Sequence, residues 1–158
     1  MNEENTKILV ESFPELYGTN FHFECDDGWF RIVYGLSSAI DFGRKLFAKN
    51  NIVMLGISKD AIDDTVLNNI MDAEFQNYDY RIFQIKEKYG SLRCYTNNNV
   101  DPITTDIITQ YERISGTICE TCGSDNARTK TSKWRIKSLC ENCCEEHNKV
   151  VAKIAKSL

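Results

Sequence analysis

Two C-x-x-C pairs place the strongest constraint on how this chain folds. The first pair is Cys119 and Cys122, the second is Cys140 and Cys143, and 17 residues separate them. Each pair forms a tight turn that brings two sulfurs to one side, and four sulfurs at about 2.3 Å complete the tetrahedral coordination of zinc. Gly123, directly after the first pair, suits the backbone bend of such a turn. The spacing therefore predicts a zinc site made of these four cysteines.

The site predicted by these pairs is structural rather than catalytic, because four thiolates leave no position for water on the metal. Such a site contributes on the order of 10 kcal/mol to folding its module. Cys144 and His147 follow Cys143 closely in the sequence and are alternative fourth ligands. A redox dithiol, or cysteines that are simply buried, would be the interpretation without a metal.

The order of elements around the cysteines is typical of a treble-clef zinc finger. A polar hairpin is expected over Ala127–Ser138, between the two pairs, and a helix is expected to carry the last two ligands in its first turn. A zinc ribbon would continue in a strand at that point. The apolar positions on one face of the helix are Val150, Ile154 and Leu158. We expect residues 118–158 to form a zinc-finger module that packs on a main body of residues 1–117.

The main body has the hydrophobic patterns of a mixed fold. The predicted helices are 3–13, 28–49, a segment after Ser58 or Asp60, and a segment from Asp101 and Pro102 to Gly116. The predicted strands are Ile52–Ile57 and a hairpin of Tyr80–Lys88 with Leu92–Thr96. The second helix is expected to be broken or softened near Gly35 or Gly43. We therefore predict an α+β fold: helices, a small antiparallel sheet and the C-terminal zinc finger.

Other short signals have structural interpretations. The run Asp26–Trp29 is expected to be a capping carboxylate followed by a core tryptophan, with an exposed recognition loop as the alternative. His22 and Cys25 have the spacing of two metal ligands, but two ligands alone are a weak signal. We expect Cys25 and Cys94 to be small buried side chains.

The composition is that of a folded chain outside the membrane. At 158 residues and 42% hydrophobic residues the chain can bury a core, and its net charge is −4. No apolar run approaches the roughly 20 residues that a membrane span needs, and the polar start of the chain is unlike a secretory signal. We expect a cytoplasmic protein.

Catalytic motifs are missing from the sequence. The zinc deaminases need H-x-E followed by P-C-x-x-C, and the sequence contains no P-C-x-x-C. Neither a Walker A motif nor a G-x-G-x-x-G motif occurs. His22 and His147 are the only histidines, so histidine-based acid–base catalysis has few candidates. We therefore expect that the chain is not an enzyme.

Basic side chains are concentrated in the hairpin between the two cysteine pairs. They alternate with serine and threonine beside Trp134, a pattern that suits contact with phosphates. The alternative is a solvated hairpin that keeps a small module soluble. The candidate nucleic-acid contacts are Arg128, Lys130, Lys133, Arg135 and Lys137.

Three segments together resemble a family of small, mostly uncharacterised proteins of bacteriophages and prophages. They are Asp27–Trp29, the hairpin QIKEKYGSLRCY of Gln84–Tyr95, and the first cysteine pair with Leu139 and Cys140. In that family a hairpin of the type IKEKFGGLRFY precedes a helix and a C-terminal zinc finger. This chain departs from the pattern at Tyr89, Ser91 and Cys94, where the family has Phe, Gly and an aromatic residue. The resemblance covers roughly residues 24–144.

The resemblance implies a viral or prophage origin and a setting in the cytoplasm of a bacterial host. It supplies no reaction. We expect a zinc-stabilised, non-enzymatic accessory protein that binds and modulates a host macromolecule, such as a host defence protein. The alternative function is a regulator that binds nucleic acid through the basic hairpin.

Overall fold

Four α-helices and two small sheets make up the part of the chain that the computed structural model describes, residues 1–54, 81–97, 100, 102–131 and 136–156. At 44–54, 129–131 and 155–156 the backbone alone is described. The helices are α1 (Glu3–Ser12), α2 (Phe30–Met54), α3 (Pro102–Ser115) and α4 (Glu141–Lys156). The strands are β1 (Phe23–Glu24), β2 (Ile82–Lys88), β3 (Ser91–Thr96), β4 (Arg128–Thr131) and β5 (Ile136–Leu139). The predicted α+β class is confirmed.

Helix α2 is continuous, and in this the prediction was wrong. Its two glycines allow α3 to approach α2 closely: a Cβ at Gly35 would lie 3.0 Å from the Tyr111 ring, and one at Gly43 would lie 3.2 Å from Ile107. The helix also runs through the first residues of the predicted strand Ile52–Ile57. The rest of that strand, and the helix predicted after Ser58 or Asp60, lie outside the described residues.

The larger sheet has the order β1-β2-β3. Strands β2 and β3 form the predicted antiparallel hairpin, whereas β1 pairs with β2 in parallel, so that the sheet is mixed. The hairpin turns at Tyr89 and Gly90, whose φ angles are 55° and 77°. Positive φ at both central residues is the feature of a type I′ turn, whose twist matches that of the strands.

The core lies between the inner face of this sheet and the first three helices. Its largest fully buried side chains include Trp29, Tyr17 and Phe23. Three rings in it, those of Tyr17, Phe21 and Phe23, have centroids 4.7–5.1 Å apart in tilted and edge-on arrangements. No helix within the described residues is long and apolar enough to cross a membrane.

The outer edge of β3 is covered by side chains of α3. The backbone N–H of Leu92 donates to Ser115 Oγ at 2.8 Å, and that of Cys94 donates to Glu112 Oε1 at 3.0 Å. These bonds satisfy donors that would otherwise be open to another strand. They also fix α3, which leads directly into the first cysteine pair.

The C-terminal segment has the order predicted for a treble clef: a cysteine turn, the β4-β5 hairpin, and then α4. The segment contacts the main body through its backbone. A Cβ at Gly28 would lie 2.3 Å from the carbonyl oxygen of Cys119 and 2.5 Å from the backbone nitrogen of Gly123. Only glycine fits here, so the backbones of the two parts touch.

Hydrogen bonds of two side chains reinforce this contact. The indole Nε1–H of the buried Trp29 donates to the carbonyl of Ile118 at 2.9 Å. The buried hydroxyl of Ser138 lies 2.5 Å from the carbonyl oxygen of Gly90 and 3.1 Å from that of Gly116. The hairpin turn of the main sheet is thus joined to β5.

We predict that Gly28→Ala destabilises the protein by about 1–3 kcal/mol, because the new methyl group would overlap backbone atoms that cannot rotate away. Urea unfolding followed by circular dichroism measures the effect. Gly18→Ala is the matched control, since a Cβ there meets nothing within 4 Å, and we expect it to change stability by about 0.5 kcal/mol or less. Equal stability of both variants would contradict the close backbone contact.

Candidate metal centre

Four cysteine sulfurs converge at one point of the fold. The Sγ atoms of Cys119, Cys122, Cys140 and Cys143 all lie within 4.8 Å of one another. The sulfurs of Cys122 and Cys140 are 3.7 Å apart, far longer than a disulfide bond, and all four thiols are free. Four sulfurs at 2.3 Å from a tetrahedral ion are about 3.8 Å from one another. The cluster therefore has the dimensions of a four-thiolate metal site.

The first pair is shaped by a backbone turn. The N–H of Gly123 donates to the carbonyl of Cys119 at 2.8 Å, and the N–H of Cys119 donates to the carbonyl of Ser124 at 2.7 Å. Gly123 has a φ of 77°, a conformation that suits glycine. The turn brings both sulfurs of the pair to one side, as the sequence pattern predicts.

Backbone hydrogen bonds stabilise the thiolate form of Cys119. Burial raises the pKa of Cys119, but N–H groups of Cys140, Cys122 and Thr121 point at its sulfur and bring the pKa down to about 7. The pKa of Cys143 is raised by burial and by its bonds to the neighbouring sulfurs. Sulfurs this close oppose one another's ionisation, so four thiolates coexist only around a cation.

The second pair lies at the start of α4. Cys140 directly precedes the helix and Cys143 lies in its first turn, so helical geometry brings the two side chains together. The metal-ligating group includes neither Cys144 nor His147. The sulfur of Cys144 accepts a weak hydrogen bond from the side-chain amide of Asn148 instead. The geometry thus places Cys143, of the three alternatives, as the fourth sulfur.

Beside the metal centre, Lys137 bridges two carboxylates rather than extending into solvent. Its Nζ lies 2.8 Å from Asp26 Oδ2 and 3.2 Å from Glu120 Oε2, and its side chain is 13% exposed. Asp26 therefore does not cap the following helix, as its position in the sequence suggested, but pairs with Lys137 of the β4-β5 hairpin. The ion pair adds a charged contact to the backbone contact at Gly28.

Sequence reasoning missed Glu120, which lies between two of the cysteines and is almost completely buried. Burial raises the pKa of this carboxyl, and the charge of Lys137 acts against that rise. The Oε1 atom accepts the backbone N–H of Asp26 at 3.3 Å, whereas Oε2 has the ammonium group near it but no hydrogen bond of good geometry. No local pattern marks this residue, because its partners are distant in the sequence.

The other basic residues of the hairpin are placed only in part. Arg128 is exposed at the start of β4, and Lys130 lies in the same strand at a position where the backbone alone is described. Lys133 and Arg135 lie outside the described residues. Of the two candidate phosphate contacts whose side chains the structure describes, Arg128 and Lys137, it is Lys137 whose charge is engaged elsewhere in the protein.

Two further cysteines are core side chains, as expected. Cys25 and Cys94 are 6% and 8% exposed, and burial raises the pKa of each thiol to about 12. His22 is exposed. Within the described residues, the metal-ligating group contains none of these three side chains.

No protein-family model, curated protein or solved structure matches this chain. What the four-cysteine site can bind therefore follows from its own residues.

We predict that Cys143→Ser impairs metal binding and that Cys144→Ser does not. The wild type and Cys144→Ser should each hold one metal ion per chain, because the four sulfurs of the cluster are intact in both. Loss of one thiolate should leave Cys143→Ser largely without metal after dialysis against a chelator. Elemental analysis of the purified proteins gives the metal content. The reverse result would assign Cys144 as the ligand.

We also predict that Lys137→Met destabilises the protein by about 3 kcal/mol, because Glu120 would remain buried without its cation. Combining it with Glu120→Gln should recover most of the loss, since the amide oxygen can still accept the Asp26 N–H. Urea unfolding of both variants, with metal content measured in parallel, provides the test. Wild-type stability of the single variant would mean that Lys137 is a solvated surface residue in solution.

Proposed function

We propose that this chain is a zinc-stabilised, non-enzymatic accessory protein of bacteriophage or prophage origin that binds and modulates a macromolecule of the bacterial host. The observation that carries the proposal is the position of the four-cysteine cluster. The cluster is closed by four sulfurs and built into the joint between the C-terminal segment and the main body. A metal ion there would hold a surface together and would have no open position for a substrate.

We propose zinc as the metal because of the donor set. Four soft sulfur donors in a tetrahedral arrangement suit zinc or an iron–sulfur centre, and a treble-clef arrangement of turn, hairpin and helix is a zinc architecture. Zinc has no redox chemistry of its own, which fits a structural role. The elemental analysis of the wild-type protein then identifies the metal, and we expect zinc at one equivalent.

A binding role rather than catalysis is supported by the state of the buried nucleophiles. Cys25 and Cys94 have pKa values of about 12, so both remain protonated at neutral pH and are poor nucleophiles. Glu120 is held by Lys137 within the joint. These groups stabilise the fold.

A host partner is supported by large exposed side chains. Phe83 and Tyr89, both on the β2-β3 hairpin, are each at least 60% exposed. Exposed aromatic side chains are more frequent at protein interfaces than elsewhere on protein surfaces. The phage setting, and with it a partner such as a host defence protein, rests on the resemblance of the hairpin and zinc-finger motifs.

The nucleic-acid alternative is supported by Arg128, which is exposed and could contact a phosphate. It is weakened by Lys137, because that side chain is already paired with two carboxylates. Variants that test it should neutralise Arg128, Lys133 and Arg135 and leave Lys137 in place. Neutralising Lys137 would disturb the joint, and a loss of binding could not then be assigned to phosphate contact.

We predict that the tagged protein, expressed in a bacterial host, copurifies one partner protein at near-stoichiometric ratio. Nuclease treatment of the lysate should leave that partner bound. Mass spectrometry and densitometry provide the measurement, and Cys143→Ser, with its joint weakened, should recover less than the wild type.

Two results would contradict the proposal in different ways. Recovery of no partner by a metal-loaded wild-type protein would remove the binding role. Recovery that disappears after nuclease treatment, and also in the variant neutralised at Arg128, Lys133 and Arg135, would establish the nucleic-acid alternative in its place.

A further inference from the structure

The outward face of the β2-β3 hairpin carries aromatic and basic side chains that the core and the metal centre do not use. The pairing register puts Gln84 opposite Tyr95, and Lys86 opposite Arg93. Their neighbours Ile85 and Cys94 are buried against the core, so the alternation of the strands turns the first set away from it. We call Phe83, Lys86, Lys88, Tyr89 and Tyr95 the hairpin strip.

We propose that the hairpin strip is the docking surface for a protein partner whose apolar side chains are flanked by carboxylates. The inference rests on the proposed function, because it assigns the surface through which that function operates. The strip runs about 20 Å from Phe83 to Tyr89, at roughly 3.3 Å per residue. That length matches about three to four turns of a partner helix.

The aromatic members supply apolar area at both ends of the strip. Phe83 is 60% exposed at a register shift in β2, and its ring centroid is 6.1 Å from that of Tyr95. Tyr89 is 70% exposed at the turn. Buried in a complex, such rings carry much of the binding energy of a protein interface.

The backbone at Tyr89 gives independent support for a binding role. Its φ of 55° lies in the left-handed region, where Asn or Gly is the ordinary choice in a type I′ turn. Tyrosine costs roughly 1–2 kcal/mol in that conformation, and at 70% exposure it recovers little of this by packing. A strained residue whose side chain gains little packing energy within the protein points to a contact outside the chain.

The lysines determine the charge of the partner. Lys86 Nζ lies 5.1 Å from the centroid of Tyr95, and Lys88 Nζ lies 5.8 Å from that of Tyr89. Neither lysine forms an ion pair with a carboxylate in the described part of the chain. Two cations, one beside the half-buried ring of Tyr95 and one beside the exposed ring of Tyr89, are complementary to carboxylates that surround an apolar side chain.

The same surroundings make a nucleic-acid strand the poorer fit. Lysine ammonium groups already lie over the rings of Tyr95 and Tyr89, where bases would have to stack. Carboxylates also border the strip: Glu24 accepts a hydrogen bond from Gln84 at 2.7 Å, and Glu112 pairs with Arg93 at 3.5 Å. A continuous phosphate backbone would meet these negative charges, whereas a protein partner can place its carboxylates selectively.

The test uses two named probes, a displayed random dodecapeptide library and fluorescein-labelled oligo-dT of 12 nucleotides. We expect selection on the wild-type protein to enrich peptides with Asp or Glu flanking Leu, Phe or Trp. The synthesised peptides should bind about tenfold more weakly to Tyr89→Asn and to the double variant Lys86→Ser/Lys88→Ser. Added salt should weaken wild-type binding, because the lysines act through charge.

Two controls separate binding from folding. Tyr89→Asn should be as stable as the wild type or more stable, since Asn tolerates the left-handed region, so a loss of binding cannot be ascribed to unfolding. Phe42→Ser alters an equally exposed phenylalanine outside the strip, on α2, and should leave peptide affinity within about twofold, as expected for a residue outside the contact. Phe83→Ser should reduce the affinity by about tenfold.

The outcomes are distinct from those of the host-partner experiment. Failure to enrich acidic peptides, or equal binding by the strip variants and the wild type, would overturn the strip proposal even if a host protein copurifies. Strip-dependent binding of oligo-dT without peptide binding would assign the surface to nucleic acid and overturn it as well. Acidic peptides that bind through the strip would support it even if the host partner is lost during lysis.

Discussion

The contact of Gly28 with the first cysteine turn is the constraint on which the rest of this structure depends. Backbone atoms of Cys119, Glu120 and Gly123 lie so near Gly28 that no side chain fits between the two parts. Trp29, the next residue, fills the core of the main body and donates to the carbonyl of Ile118. The first cysteine turn is thus joined to the core of the main body through Gly28 and Trp29, directly before α2 begins at Phe30.

In this arrangement a metal ion bound by the four cysteines would stabilise more than the C-terminal segment alone. Lys137 and the Ser138 hydroxyl attach β5 to Asp26 and to the hairpin turn of the main sheet. By contrast, the C-terminal half of α4 packs little against the core, since Val150 and Ile154 are more than half exposed. The C-terminal segment is therefore fixed at the end that carries the four cysteines, where a metal ion would reinforce the interface.

Local patterns predicted much of this structure. The cysteine spacing, the hairpin, the core position of Trp29 and the helix after Pro102 all follow from signals within a few residues of one another. What local patterns could not predict depends on distant parts of the chain. Gly35 and Gly43 suggest a broken helix until α3 is known to pack against them, and the ion pair of Lys137 depends on Asp26, which is 111 residues away in the sequence.

The turn at Tyr89 and Gly90 connects the C-terminal finger to the hairpin strip. Gly90 is buried: its carbonyl accepts from Ser138 of the finger, and its N–H donates to Glu87 at 2.7 Å. Tyr89, the residue before it, is exposed in a strained conformation. Such strain persists only where the surroundings fix the backbone, and the finger supplies that restraint through Ser138. The ion that would order the finger therefore also acts, through one hydroxyl group, on the presentation of the most exposed aromatic side chain of the hairpin strip.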